Sequence, residues 1–404
     1  MKAFTSLIAI AGLATSALAG PILRVINSGA QGTIADKYIV VLKKDVDMDA
    51  HTSRISSLHA LRARDLTGAK AHGVQRKFNF RSSGFHGYTG GFDAATLQDI
   101  LKSPEVAFVE QDAVIKLNAE QTDSTWGLDR ISHKDFSTPY TYAYDGATAG
   151  AGVTVYVIDT GIRITHDEFK SSNGTSRASF GFNAFNDGNT DGNGHGTHCA
   201  GTVAGKTYGV AKNAKVVAVK VLNASGSGTN SGVIGGMNYV AQQGTPNSVK
   251  VASMSLGGSK STAINNAVNS MYDANIAVVV AAGNESQDAA NVSPASAAKA
   301  ITVGAIDSAN TIASFSNYGS ILDVFAPGVN VLSSWTGSDT GTKTISGTSM
   351  ACPHVAGLAA YYVSLSGLKT SAAVADKIVS SAITGQVKGN IRSSPNKIAY
   401  NGNA

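Results

Sequence analysis

The sequence predicts an α/β protein, a mostly parallel sheet flanked by helices, preceded by a small α+β domain of split-βαβ order. Three observations carry this prediction. Short apolar runs ending near Gly, Asp or Ser alternate with helical stretches over residues 120–404, a β-α-β-β-α-β order fills about 80 residues before them, and 404 residues at 43% hydrophobic and 15% charged can bury a large core. That composition excludes a disordered chain. The 44 glycines follow no G-X-Y period, so collagen is excluded too, and they are left to serve tight turns and close backbone approaches. Two cysteines, Cys199 and Cys352, cannot supply a disulfide framework.

In chain order, Met1-Lys2, the apolar run Phe4 to Leu13 and the small residues Ala17-Leu18-Ala19 have the layout of a secretory signal cut after Ala19. The run is shorter than the ~20 residues of a spanning helix, and no later segment is long and apolar enough. The layout therefore predicts a signal peptide over residues 1–19 and a secreted, extracellular product, rather than a membrane anchor. Lys37 to Lys43 reads as a buried strand and Met48 to Leu66 as a helix with Ile55, Leu58 and Leu61 on one face. Phe78 and Phe80 alternate with polar residues, Gly84 and Gly87 flank a turn, Tyr88 to Phe92 is extended, Ala94 to Leu101 is helical and Val106 to Glu110 closes the unit as a strand. The polar stretch after Val114 to Ser124 has no period and reads as a linker and cleavage segment, which sets the boundary between residues 20–119 and 120–404.

In the larger part, Val153 to Ile158, Val216 to Val221, Val251 to Leu256, Ile276 to Ala282 and Ala300 to Val303 read as strands, with helices over Val233 to Gln242 and Ser261 to Tyr272. The net charge of +5 tempts a nucleic-acid reading, but residues 120–404 hold 18 basic against 17 acidic residues, with no basic block or interleaved aromatics. No nucleic-acid partner is expected.

Parallel sheets bind ligands at the carboxyl ends of their strands, and that is where the polar motifs fall. Asp159, in Asp159-Thr160-Gly161, follows the first of these strands; alone it would be read as a turn or cap. Asn193-Gly194-His195-Gly196-Thr197-His198-Cys199 places a histidine at a helix start. His195 and His198 with Cys199 or Asp191 could instead ligate a metal, although the zinc-protease His-Glu-x-x-His spacing is absent. Ser346-Gly347-Thr348-Ser349-Met350-Ala351-Cys352-Pro353 places Ser349 near another helix start, with Pro353 in the first turn where no backbone donor is needed. A serine there is usually only a cap.

Together the three permit one mechanism. Ser349 attacks a carbonyl carbon, His195 removes its proton and returns it to the leaving group, and Asp159 holds the imidazole tautomer and stabilises its cation. Oxyanion donors are also required, and Ala281-Ala282-Gly283-Asn284 ends a strand with a side-chain amide, while the Ser349 N–H is the natural second donor. Asn284-Glu285-Ser286 is a glycosylation sequon as well, as are those at Asn173, Asn223 and Asn291. No catalytic cofactor is needed.

At these residues the sequence resembles the subtilisin-like serine proteases. The three signatures Asp159-Thr160-Gly161, Gly194-His195-Gly196-Thr197-His198 and Gly347-Thr348-Ser349-Met350-Ala351-Cys352-Pro353 occur in the family's order. Trp126-Gly127-Leu128, Tyr208-Gly209-Val210-Ala211, Ser255-Leu256-Gly257-Gly258, Ser293-Pro294-Ala295-Ser296 and Ser314-Phe315-Ser316-Asn317-Tyr318-Gly319 are similar to its proteinase K branch. The likeness spans residues 120–404, and residues 36–117 resemble the inhibitory propeptide of the same proteases. It implies a zymogen that is a secreted monomeric endopeptidase, acting on protein and peptide substrates and held by its own propeptide until cleavage near Asn118 to Gln121. It implies substrate backbone pairing at Ser225, Gly226, Ser227 and Gly228 and at Ser255, Leu256, Gly257 and Gly258, where glycine permits close approach. Small Ala281, Ala282 and Gly283 would leave room for a large apolar or aromatic side chain before the cut bond. One structural calcium is implied at Asp323 with the carbonyls of Ala298 and Ala300, whereas Asn390 stands where a second site would have an acidic residue. Cys199 and Cys352 follow the catalytic His and Ser closely and are expected beside the site. A bridge between them is open on spacing, and if free and accessible they would confer sensitivity to mercurials.

Overall fold

A computed structural model describes residues 22–29, 33–63, 73–80, 85–113, 118–135, 138–185, 187–243 and 248–403. The expected signal peptide, Leu66, Gly84 and residues 114–117 of the expected linker lie outside these. The chain divides into two compact units, Met1–Ile115 and Lys116–Ala404.

The first unit holds β1 (Val25–Ile26), β2 (Thr33–Leu42), α1 (Met48–Ala63), β3 (Gly73–Phe80), β4 (Phe85–Gly91), α2 (Ala94–Lys102) and β5 (Val106–Ala113). Its sheet runs β1-β5-β2-β4-β3, antiparallel except for β1 against β5. The β-α-β-β-α-β order expected from the sequence is present, with β1 added at the edge. Val40, Leu42, Tyr88 and Val109 of the sheet pack with Ile55, Ile100 and Leu101 of the helices. Gly87 does not flank a turn; it sits inside β4 between Val41 and Phe78, where even a methyl group would meet the Val40 carbonyl oxygen at 2.1 Å.

The second unit begins with β6 (Asn118–Thr122), α3 (Trp126–Arg130) and β7 (Thr141–Asp145). The segment expected to be an unstructured linker is thus partly a strand, paired antiparallel with β7 from Asn118↔Asp145 to Thr122↔Thr141. The ladder explains why periodicity missed it: backbone bonds, not an apolar face, hold a polar strand. Then follow β8 (Thr154–Asp159), β9 (Ala178–Asn183), α4 (His195–Ala204), β10 (Lys215–Lys220), α5 (Asn230–Gln242), β11 (Lys250–Met254), β12 (Gly258–Ser259), α6 (Thr262–Asp273) and β13 (Ile276–Ala281). After them come β14 (Val292–Ser293), β15 (Ile301–Ile306), β16 (Val324–Pro327), β17 (Val331–Ser334), β18 (Thr342–Ile345), α7 (Thr348–Ser366), α8 (Ser371–Ser381), β19 (Ile383–Thr384) and β20 (Lys397–Ile398).

Nine strands form the main sheet, in the order β19-β20-β16-β15-β13-β11-β8-β10-β9, and only the β19–β20 pair is antiparallel. Alternation along β8 shows how its faces are covered. Val155 and Val157 pack with Ala200 and Val203 of α4 and Val355 and Ala359 of α7; Tyr156 and Ile158 pack with Val233 and Met237 of α5 and Ile264 and Val268 of α6. Both faces are dry, as the near-continuous apolar strands require. No helix among the described residues is long and apolar enough to cross a membrane.

Candidate active site

Asp159 is the last residue of β8 and fully buried, and His195 is the first residue of α4. The helix start lies against the strand exit because Gly196 has no side chain: a Cβ there would fall 2.1 Å from the Gly161 carbonyl oxygen. The His195 Nδ1–H donates to Asp159 Oδ1 at 2.8 Å and lies 3.0 Å from Oδ2. This leaves Nε2 as the ring's lone pair. Burial works to lower the basicity of His195, but the Asp159 carboxylate and the Cys199 sulfur outweigh it and hold the pKa well above the ordinary 6.5.

Ser349 is the second residue of α7. Thr348 N–H donates to Asn284 Oδ1 at 2.8 Å and Met350 N–H to the Gly347 carbonyl, so between them the Ser349 N–H is left without a protein partner among the described residues. Asn284 Oδ1 also accepts the Thr348 hydroxyl at 3.0 Å. A backbone N–H can only donate, which fixes the orientation of the Asn284 amide and leaves its Nδ2–H donors for a ligand. Two hydrogen-bond donors, one side chain and one main chain, are therefore available beside the serine. The Ser349 hydroxyl itself donates to the Ser255 carbonyl at 3.3 Å rather than to His195.

Pro353 is the sixth residue of α7, not part of its first turn, and this corrects the sequence expectation with a consequence. Lacking an N–H, it orphans the carbonyl four residues back, that of Ser349. A buried carbonyl left unpaired costs about 1–3 kcal/mol. Here the Ser255 hydroxyl donates to it at 2.9 Å and the Cys199 thiol at 3.4 Å. The cysteines are thus free and buried, not bridged and not accessible. Cys352 donates to the Val279 carbonyl at 3.4 Å, and burial pushes its thiol pKa up to about 12.

His198 does not join a metal set. Its Nε2–H is shared by the Val331 and Lys343 carbonyls, each at 3.1 Å, and burial lowers its pKa to about 4. Asp191, weighed from sequence only as a metal ligand, is instead a scaffold. Its buried carboxylate accepts from Thr160 Oγ1, Asn193 N, Gly194 N, Thr197 N and Thr197 Oγ1, tying the β8 exit to the start of α4. Lys220, also buried, donates to the Thr160 and Leu222 carbonyls. The Asp-Gly-Asn-Gly run ahead of the helix was the available signal for Asp191; nothing local marks Lys220.

A cleft of about 520 Å³ holds His195 and Ser349 together with Gly226, Ser227, Gly228, Ser255, Leu256, Gly257 and Gly258, and Val233, Ile264 and Pro294 add apolar wall. Ser225 is outside its lining. Three N–H groups of the first edge are engaged in its own turn, Ser225 and Ser227 with Asn223 Oδ1 and Gly226 with the Asn223 carbonyl, and the Ser227 carbonyl accepts from Asn223 N, so within that edge Gly228 is the residue outside the turn's own bonds among the described residues. Ala281 and Ala282 do not line the cleft; both are buried in the core behind it, and the Gly283 N–H is bonded to Thr348 Oγ1 at 3.1 Å. Asp323 accepts from Thr302 N at 2.7 Å, burial raises its pKa to about 6, and no salt bridge reaches it among the described residues.

Residues 150–400 match the Subtilase family and residues 37–118 match Peptidase inhibitor I9. A cuticle-degrading serine protease of Arthrobotrys oligospora is 70% identical over 99% of this chain and 98% of its own length. Subtilisin-like protease 2 of Pseudogymnoascus destructans is 54% identical over 93% and 92%, and alkaline protease 1 of Aspergillus clavatus 44% over 99% and 98%. Among solved structures, a cold adapted subtilisin-like serine proteinase aligns with a TM-score of 0.64 at 44% identity, covering 69% of this chain and 98% of that one. The chain belongs to the subtilase family: it is a serine endopeptidase with an I9 inhibitor propeptide in front of the enzyme.

Proposed function

We propose that this chain is a secreted zymogen whose matured form hydrolyses peptide bonds through an acyl-enzyme on Ser349, with His195 as general base and acid, Asp159 as its orienting carboxylate, and Asn284 with the Ser349 N–H as oxyanion donors. The observation that carries the assignment is the convergence at one place of a buried carboxylate bonded to an imidazole and a helix-start serine flanked by two free donors. In acylation, the Ser349 oxygen bonds to the substrate carbonyl carbon as its proton passes to His195 Nε2, and the carbonyl oxygen gains charge against the two donors. Collapse breaks the C–N bond and His195 returns the proton to the leaving amine; water then repeats the sequence to free the acid.

The exposed glycine-rich edges support recognition of extended backbone, and the apolar wall of Leu256, Val233 and Ile264 supports a preference for large apolar or aromatic side chains. The names of the fungal relatives favour cuticle protein as a target class. A single structural calcium at Asp323, with carbonyls of Ala298 and Ala300, is supported by a largely buried carboxylate whose burial the Thr302 N–H and Lys397 offset only in part, with no salt bridge to it among the described residues. In the test of the nucleophile, a sulfonyl fluoride should inactivate the matured enzyme with one equivalent bound at Ser349. Modification of another serine, or of none, overturns the assignment.

A further inference from the structure

The turn that carries Asn284 is held from both sides by one side chain the chemistry above does not use. Asn317 is fully buried, and all its side-chain hydrogen bonds go to residues 282–287. Its Nδ2 donates to the Ala282 carbonyl at 2.9 Å and to Glu285 Oε2 at 2.7 Å; its Oδ1 accepts from Glu285 N at 3.1 Å and Gln287 N at 2.9 Å. Its own N–H donates to the Gly283 carbonyl at 3.0 Å. An amide has two donors and two acceptor positions, and here all four are filled. The pattern fixes the orientation too, since two N–H groups can meet only oxygen and a carbonyl can meet only N–H. Gly283, at φ 102°, sits so close that a Cβ would lie 2.3 Å from Asn317 Nδ2.

Every one of these contacts flanks Asn284 and none touches it. Among the described residues Asn284 is itself held by Thr348 alone, through its Oδ1. The place of its Nδ2 donors is therefore set by two anchors, the start of α7 on one side and the turn locked by Asn317 on the other. We propose that Asn317 is a positioning residue for the oxyanion site: it presets the 282–287 turn, with Glu285 as its carboxylate partner, so that Asn284 meets the developing charge without rearrangement. Preorganised donors act mainly in the transition state, so the effect belongs in kcat and not in substrate binding. The proposal rests on Asn284 being an oxyanion donor.

Kinetics on the matured enzyme, made from the full chain, test it in a double-variant cycle with melting curves as the check on folding. Removal of one oxyanion donor costs about 10²–10³ in kcat, so Asn284→Ala should fall in that range. Asn317→Ala should lose about 10-fold to 100-fold in kcat with KM changed less than threefold, and should cost little further in the Asn284→Ala background. Should Asn317→Ala fail to fold, Asn317→Asp keeps the acceptors of Glu285 N and Gln287 N but sets oxygen against the Ala282 carbonyl and Glu285. Glu285→Gln should then partly restore kcat in that background only. Additive losses in the cycle, a change confined to KM, or no rescue by Glu285→Gln would overturn the role of Asn317. An Asn284→Ala enzyme with unchanged kcat would instead remove the oxyanion reading beneath it.

Discussion

At the scale of single residues the chemistry depends on one proton being in one place. In the proposed mechanism His195 must be neutral to take the Ser349 proton, yet against burial, which lowers it, the Asp159 carboxylate at 2.8 Å stabilises its cation and holds its pKa well above 6.5. The sign follows directly: kcat/KM falls as pH drops through that raised value, so the acid limb of the profile lies on the alkaline side of an ordinary histidine. Asp159→Asn removes the charge but keeps the shape. An amide cannot enforce the tautomer that exposes the Nε2 lone pair, and the loss in kcat should be about 10⁴-fold. With the anion gone, the remaining activity should have its acid limb at lower pH, and a pH–rate profile of the two enzymes checks both statements. Neutral His198, its Nε2–H spent on two carbonyls, contributes no limb of its own.

At the scale of elements, two helix starts bring the chemistry to the sheet edge: α4 delivers His195 and α7 delivers Ser349 with its N–H. The α7 start is held in an unusual way, because Pro353 strips the Ser349 carbonyl of its helical donor and Ser255 replaces it from another strand's end. Ser255→Ala should lower kcat about tenfold, the worth of one buried hydrogen bond of roughly 1.4 kcal/mol. Pro353→Ala restores the N–H within the helix, so the double variant Ser255→Ala, Pro353→Ala should recover most of the loss; steady-state rates of the four enzymes decide it. This scale also shows what the sequence reveals. The apolar strands, the β-α-β-β-α-β unit and the three motifs announce themselves because periodicity and glycine spacing are local. Polar β6, the scaffold role of Asp191 and the grip of Asn317 on residues 282–287 do not, since each depends on partners brought together only by the fold. Pro353 was misplaced for a related reason: helix boundaries are set by capping contacts such as Thr348 with Asn284, 64 residues away.

At the scale of the whole molecule, maturation and the proposed calcium site both concern how an enzyme that cuts proteins survives. A cut within Asn118 to Gln121 falls in β6, so residues beyond the cut can stay paired with β7 and keep the new terminus anchored. If maturation is self-catalysed, the full chain with Ser349→Ala should accumulate uncut, while N-terminal sequencing of the active protein should begin within that strand. The second device is the Asp323 carboxyl. Burial disfavours its charge, the Thr302 N–H and Lys397 offset this only in part, no salt bridge reaches it among the described residues, and the carbonyls of Ala298 and Ala300 complete the proposed oxygen set. A divalent ion bound to this oxygen set stabilises the folded form alone, since the unfolded chain scatters the ligands. At about a hundred times its dissociation constant such an ion contributes about 2.7 kcal/mol, which for a domain of this size shifts the melting temperature by roughly 5 °C. A chelator should lower the melting temperature of the wild-type enzyme by that amount and calcium should restore it. Asp323→Asn, which removes the acidic member of the proposed set, should melt at the chelated value with or without the ion; an unchanged calcium response in that variant would place the ion elsewhere.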